Sequence, residues 1–325
     1  MMKHWEWLIL VLASLAQLGA GPAQQVPRHL VILMEGHTAR VQPQEQGLRD
    51  GLEELGYIDG KKLIIEKITE DDYERLRASI TSHLQRQRVE LLVTLGTSET
   101  TAAKDATQKI PIVFLPAGDP VRSGFVHSLA MPGTNLTGLT FYTGFENIGK
   151  QLEVFKDVVP SLRRVLTFFD GRDPNQSKRL KTVRSIASRL ALELIEQPVG
   201  SVAEAMKVLA SPPAKATGVF VVCSGLFKDL EGLASIANKY RLPLFGCNAF
   251  QVAEQGVLLS YAPDLYSIGY RGAGFVDQIL KGARPQTLPV ETPAKFDLAI
   301  NRKTAGGIGL KIPPEILILA DRVFD

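Results

Sequence analysis

The sequence predicts an α/β protein built from two doubly wound domains, and three observations carry that prediction. Short runs rich in β-branched residues alternate with segments of helical period, the pattern of βαβ units and a parallel sheet. The alternation comes in two successive series divided by a Pro/Gly-rich passage, residues 118–140, "GDPVRSGFVHSLAMPGTNLTGLT". The chain of 325 residues also exceeds the usual size of one compact domain.

The first 23 residues stand apart from this pattern. Lys3 and His4 precede "WEWLILVLASLAQLGAGPA", an apolar run that ends in small residues. Its continuous apolar part is shorter than the ~20 residues that span a bilayer, so it reads as the core of a signal peptide. Gly21 and Ala23 suit a cleavage site, with a mature start near Gln24.

From Arg28 the elements follow in order. "HLVILM" is a strand, and "QEQGLRDGLEELGY" is a helix that sets Leu48, Leu52 and Leu55 on one face. "KLIIEKI", "VELLVTL" and "IPIVFL" are the next strands, with helices over "YERLRASITSHLQRQ" and "SETTAAKDATQ" between them. Within the dividing passage, "SGFVHSLA" suggests one helical turn and "NLTGLT" a strand leaving the first domain, with Gly138 permitting backbone adjustment. The second series alternates helices "NIGKQLEVFKDVV", "QSKRLKTVRSIASRLA", "SVAEAMKVLAS" and "FKDLEGLASIANKY" with strands "RRVLTFFD", "LELIEQ", "GVFVVC" and "LPLFG". Each series thus offers about four strands. A strand "GVLLSYAPD", a helix "LYSIGYRGAGFVDQILKG" and a strand running into a short helix, "KFDLAINRKTAGGIGLKIPP", complete the two domains.

Composition narrows the function classes. A hydrophobic fraction of 45% and a charged fraction of 22% are those of a globular protein. With a net charge of +3 and no block of Lys or Arg, the chain makes no case for nucleic acid. Two cysteines, Cys223 and Cys247, exclude a disulfide-dense scaffold and a Cys-rich zinc site. They either pair, if they end neighbouring strands of an exported protein, or pack as small hydrophobes.

Catalytic motifs fail on their chemical requirements. "TLGTSETT" resembles a hydrolase nucleophile elbow around Ser98, but Thr100 replaces the second glycine and only His127 follows as a possible base. "GFENIGKQ" has Gln151 where a phosphate-binding loop needs a hydroxyl for Mg²⁺. "GYRGAGF" has the wrong glycine order for a dinucleotide loop. Glu35 and His37 lack the further ligands of a metal site, so no cofactor or metal is expected.

What remains is a set of loops after strand C-termini, where open α/β sheets bind ligands. They carry Glu35, His37, Thr97, Ser98, Asp119, Asp170, Ser224, Asn248 and Tyr261 as candidate ligand-binding residues. Thr97 and Ser98 enter a helix whose free N–H groups attract an anion, although either residue also suits a simple cap. Acidic and hydroxyl groups from two facing domains fit a zwitterion or another small polar solute, with Tyr261, Tyr142 and Phe250 available for an apolar part.

"GDPVRSGFVHSLAMPGTNLTG", "GVLLSYAPDLYSIGYRGAGFVDQILKG" and "LPVETPAKFDLAINRKTAGGIGLKIPPEILILADRVFD" resemble the ABC-transporter substrate-binding proteins of the tryptophan/tyrosine-binding type. The likeness covers nearly everything after Arg28. It implies a type I periplasmic-binding-protein fold, two Rossmann-like lobes with parallel sheets joined by a three-strand hinge. The lobes would comprise residues 28–138 plus about 262–292, and 139–261 plus about 293–325. It further implies an extracytoplasmic protein without catalytic activity, which captures a small solute such as an amino acid and delivers it to an ABC permease and its ATPase. The membrane would be met only through that permease. Thr97, Ser98 and Asp119 would face the cleft from the first lobe, and Ser224, Asn248 and Tyr261 from the second. Arg122, Ser123, Phe125 and Met131 depart from the family pattern and alter size and charge near the cleft. A ligand-presenting partner of a membrane receptor, or a small hydrolase using Ser98, are the alternatives.

Overall fold

The computed structural model describes residues 27–36, 38–141, 146–172, 176–213 and 215–325. Strands β1 (Arg28–Glu35), β2 (Leu63–Glu70), β3 (Leu91–Thr94), β4 (Ile112–Ala117) and β5 (Leu136–Thr140) form an all-parallel sheet in the order β2-β1-β3-β4-β5. Helices α1 (Thr38–Glu54), α2 (Tyr73–Arg86) and α3 (Thr97–Ala106) make the crossovers. Both faces of this sheet are covered, which is why β1, β3 and β4 are apolar without alternation. Asp72 starts α2 by accepting from the Arg75 N–H at 2.9 Å, turning the acidic run before the helix into its cap.

The second series builds on α4 (Glu146–Val158), β6 (Arg164–Asp170), α5 (Gln176–Arg189), β7 (Glu193–Val199), α6 (Val202–Leu209), β8 (Gly218–Val221), α7 (Glu231–Lys239), β9 (Leu244–Gly246), α8 (Ala249–Glu254) and β10 (Leu259–Pro263). The chain then returns to the first sheet as α9 (Leu265–Leu280), whose Ile268, Phe275 and Val276 join the core there. It crosses again into β11 (Phe296–Asn301), α10 (Arg302–Ile308), α11 (Pro314–Leu319) and β12 (Arg322–Phe324). The second sheet runs β12-β11-β10-β9-β8-β6-β7.

The predicted α/β architecture of two doubly wound units is therefore present, with five and seven strands among the described residues where the sequence suggested about four each. The extra strands are β5, from the dividing passage, and β10, β11 and β12, from the tail. β11 is antiparallel to β10, pairing Phe296 with Pro263. The reversal has a simple cause: the chain re-enters from the other unit at the end of the sheet where β10 exits, so it must run backwards along β10. "SGFVHSLA" is not a helical turn. The turn lies earlier, closed by the Ser123 N–H to Asp119 O at 3.0 Å and the Gly124 N–H to Val121 O at 3.0 Å.

Three passages join the units, and they are tied to one another. β5 lies beside the segment leading to Glu291, with the Thr140 N–H donating to Glu291 O at 2.9 Å and the Glu291 N–H to Gly138 O at 3.0 Å. The Asp264 N–H donates to Lys295 O at 3.1 Å and so joins the second passage to the third. Gly138 is required where β5 meets β4: its φ is 143°, and a Cβ there would lie 2.1 Å from Phe114 O. No helix among the described residues is long and apolar enough to cross a membrane.

Candidate functional site

The C-terminal ends of the two sheets face each other across a cavity of about 640 Å³. From the first unit Glu35, Thr97, Ser98 and Asp119 line it, and from the second Ser224 and Asn248. Six predicted residues thus come together. Asp170 and Tyr261 do not line it. Burial would push the Asp170 carboxyl up, but hydrogen bonds from the Arg172 side chain and N–H hold it below its ordinary value, at the end of β6. Tyr261 stacks on Phe296 with centroids 5.5 Å apart, and it is Phe296 that reaches the cavity. His37 and Tyr142 lie outside the described residues, and Phe250 is not in the cavity wall.

The N-terminus of α3 is the most developed part of the first wall. Gly96 is its cap residue, in extended conformation and with no side-chain cap bond. Gly96 therefore supplies no side-chain acceptor to the first turn, whose N–H groups and dipole favour an anion. Thr97 Oγ1 accepts from the Gly118 N–H at 2.8 Å, so this hydroxyl fastens the loop after β4 to α3. Glu99 is 2% exposed and accepts from the Glu35 N–H through Oε1 at 3.1 Å, fastening the loop after β1. Asp119 accepts from the Arg122 N–H at 3.0 Å, which uses one of its oxygens within its own turn.

In the second wall, Ser224 starts the single 3-10 turn Gly225–Phe227 and Asn248 caps α8 through the Gln251 N–H at 3.0 Å. The residues just before them, Cys223 and Cys247, form a disulfide with Cα atoms 5.5 Å apart. That settles the pairing left open by the sequence and fixes both polar residues relative to each other. Gln251, fully buried, strengthens the same corner by accepting from the Cys247 N–H at 2.7 Å and donating to Phe227 O at 2.7 Å.

Several wall residues escaped sequence reasoning, Gln44 and Glu99 among them. Gln44, on α1, is 1% exposed and its Nε2 has no hydrogen-bond partner among the described residues. Glu99 looked like any acid in a first helical turn. Which way such side chains turn depends on how the helix is rotated against the sheet, and that carries no local sequence signal.

Among the described residues, the charges lining the cavity are three acids, Glu35, Glu99 and Asp119, and three bases, Arg122, Arg179 and Lys228. This balance suits a ligand bearing both signs. Apolar surface comes from Val41, Leu95, Phe141, Ile148 and Phe296. Lys228 Nζ lies 3.9 Å from Glu35 Oε1 and spans the two units at the rim.

Comparison with known proteins agrees with this architecture. The family model "ABC transporter substrate binding protein" matches residues 31–324. The chain belongs to that family. It is 24% identical over 268 residues to a tyrosine-binding protein of Clostridioides difficile strain R20291, covering 82% of this chain and 76% of the relative. Among solved structures it is similar to an ABC domain in complex with L-Trp from Streptococcus pneumoniae, with a TM-score of 0.77, 22% identity and coverage of 92% and 100%. A conserved domain protein from Vibrio cholerae gives a TM-score of 0.77 at 25% identity, covering 92% of this chain and 100% of that one. The ligand-free, open structure of a substrate-binding protein with adhesive properties from Clostridium difficile gives 0.70 at 20% identity, covering 88% and 96%. The fold is the type I periplasmic-binding-protein fold, and the family is one of substrate-binding proteins.

Proposed function

We propose that this protein is the extracytoplasmic solute-binding component of an ABC importer, capturing an amino acid between its two lobes and delivering it to a permease and its ATPase. The observation that carries the reading is the wall chemistry of the interlobe cavity, which among the described residues combines three acids, three bases and apolar side chains from both units. In this reading the N–H groups of Thr97 and Ser98 at the start of α3 and the hydroxyls of Ser98 and Ser224 hold the ligand's carboxylate. Glu35, whose Oε2 is buried without a hydrogen-bond partner among the described residues, receives its ammonium group. Phe141 and Phe296 flank the side chain. The tyrosine- and tryptophan-binding relatives support an aromatic amino acid as the ligand. Residues 1–23 act as the export signal, and the lobes divide at the passages near residues 141–145, 264 and 292–295.

Capture works by closure: ligand contacts made in both lobes favour the closed form, and only that differential affinity shifts the population. A thermal-shift screen of the mature protein against the common amino acids, small organic acids and sugars tests the reading. A ligand at 100 times its Kd adds about 2.7 kcal/mol of stability. We expect L-tyrosine or L-tryptophan to raise the melting temperature and sugars to leave it unchanged. A response to sugars alone would refute the amino-acid assignment.

A further inference from the structure

At the end of the first sheet opposite the cleft, three side chains from three elements converge. His29 opens β1, Glu66 lies on β2, and His83 lies in the last turn of α2. In the parallel register Val31 pairs with Glu66 and His29 with Ile64, so His29 and Glu66 share the face on which α2 packs. His29 Nε2 is 3.3 Å from Glu66 Oε2, and His83 Nε2 is 3.1 Å from the same oxygen. The two rings meet edge-on with centroids 5.7 Å apart.

The tautomer of His29 decides what this arrangement wants. Its Nδ1 lies 3.2 Å from Arg88 O. A carbonyl only accepts, so Nδ1 carries the proton and the neutral ring presents a lone pair at Nε2. That lone pair faces a carboxylate oxygen and the second imidazole. Both Nε2 atoms are buried and neither makes a hydrogen bond. Three electron-rich atoms, all within 4.8 Å of one another, are a donor set that suits a divalent cation. The backbone-anchored Nδ1–H is also the arrangement that orients metal-ligating histidines.

We propose that His29, Glu66 and His83 bind a zinc-class divalent ion. Bonds of about 2.0–2.1 Å in a tetrahedral shell set ligand atoms roughly 3.3 Å apart, close to the separations from each imidazole to Glu66. Two imidazoles and one carboxylate select zinc, cobalt or nickel over magnesium and calcium, which prefer all-oxygen shells. Glu66 is partly exposed, and a surface groove lined by Glu70, Ser79, Ser82, His83 and Arg86 opens beside it, leaving room for water as the fourth ligand. The ion pins edge strand β2 and the end of α2 to β1, remote from the solute cleft. Its role is therefore structural and independent of the solute.

The test uses the mature chain purified without a histidine tag and stripped with a chelator. Titration with zinc chloride should show one ion per chain, with a melting temperature raised by several degrees and returned to its starting point by EDTA. Magnesium should do neither. Cobalt in place of zinc should give the intense visible bands of a four-coordinate ion. His83→Gln and Glu66→Gln should each weaken zinc binding by at least about tenfold while leaving solute binding intact. The cobalt spectrum of the unaltered chain stands even if a variant fails to fold. The proposal is overturned if the stripped protein takes up no stoichiometric zinc and gives no four-coordinate cobalt spectrum, or if both folded variants retain full affinity.

Discussion

Gln44 carries an amide nitrogen buried in the cleft wall without a hydrogen-bond partner among the described residues. A buried donor left unmade costs about 1–3 kcal/mol, a cost that a ligand acceptor removes. Gln44→Met keeps the volume and deletes the donor. Its ligand-free melting temperature should hold or rise, while ligand affinity falls by roughly ten- to a hundredfold. A variant that melts lower and binds normally would show that Gln44 is only structural. The residues that were legible share one feature: Glu35, Thr97, Ser98, Asp119, Ser224 and Asn248 sit where strands end, and that rule needs no tertiary information. Asp170 and Tyr261 obey the same rule yet miss the cavity. The first is turned aside by its neighbour Arg172, and the second lies inside β10, two residues short of its end, with its ring stacked on Phe296, which takes the place at the cavity.

Helices α1 and α9 explain a motif that carried no chemistry. The glycine-rich "GYRGAGF" belongs to α9, and a Cβ on Gly269 would lie 1.9 Å from Gln44 O. Gly47 on α1 has the reciprocal relation, with a Cβ meeting Tyr266 O at 2.1 Å. The two backbones touch, so Gly269→Ala must push the helices apart. It should destabilise by about 1–3 kcal/mol or more in denaturant unfolding, and through Gln44 should disturb the cleft as well. An unchanged midpoint would contradict the close packing. The disulfide acts on the opposite wall. Closing a loop between residues 24 apart is worth roughly 3 kcal/mol in the chain-entropy view, so the Cys223→Ser/Cys247→Ser variant should melt several degrees lower.

At the hinge, Asp264 caps α9 and is held by Ser267, Lys295 and Arg322. Burial alone would raise its carboxyl, but hydrogen bonds from Ser267 and Lys295, the Lys295 charge and the Tyr266 N–H bring it below its ordinary value. A depressed folded pKa stabilises above the unfolded value and is lost as pH falls through the folded one. The advantage of the native protein over Asp264→Asn should therefore be full at pH 7 and vanish on acidification below about pH 4. Melting both proteins across that range checks it, and an advantage that persists in acid would exclude this origin. This network was not legible in the sequence because it joins residues from α9, the third passage and β12, and the antiparallel return that brings them together follows from the crossing of the chain.

For the molecule as a whole, the proposed function has the two sheets, their facing C-terminal ends and the three passages between them act as a device that holds a small solute and closes around it. The Glu35–Lys228 contact at the rim is partly exposed, so it should contribute no more than about 1 kcal/mol to closure. The affinity must come from inside the cavity and from both lobes together. Calorimetric titration of L-tryptophan and L-tyrosine into the native protein, Ser98→Ala and Phe296→Ala measures that requirement. Binding of one of these ligands at one site, weakened at least about tenfold by either substitution, is the expected result, since one residue stands in each lobe. Native binding that survives both substitutions unchanged, or no heat from either amino acid, would contradict capture of an aromatic amino acid between the lobes.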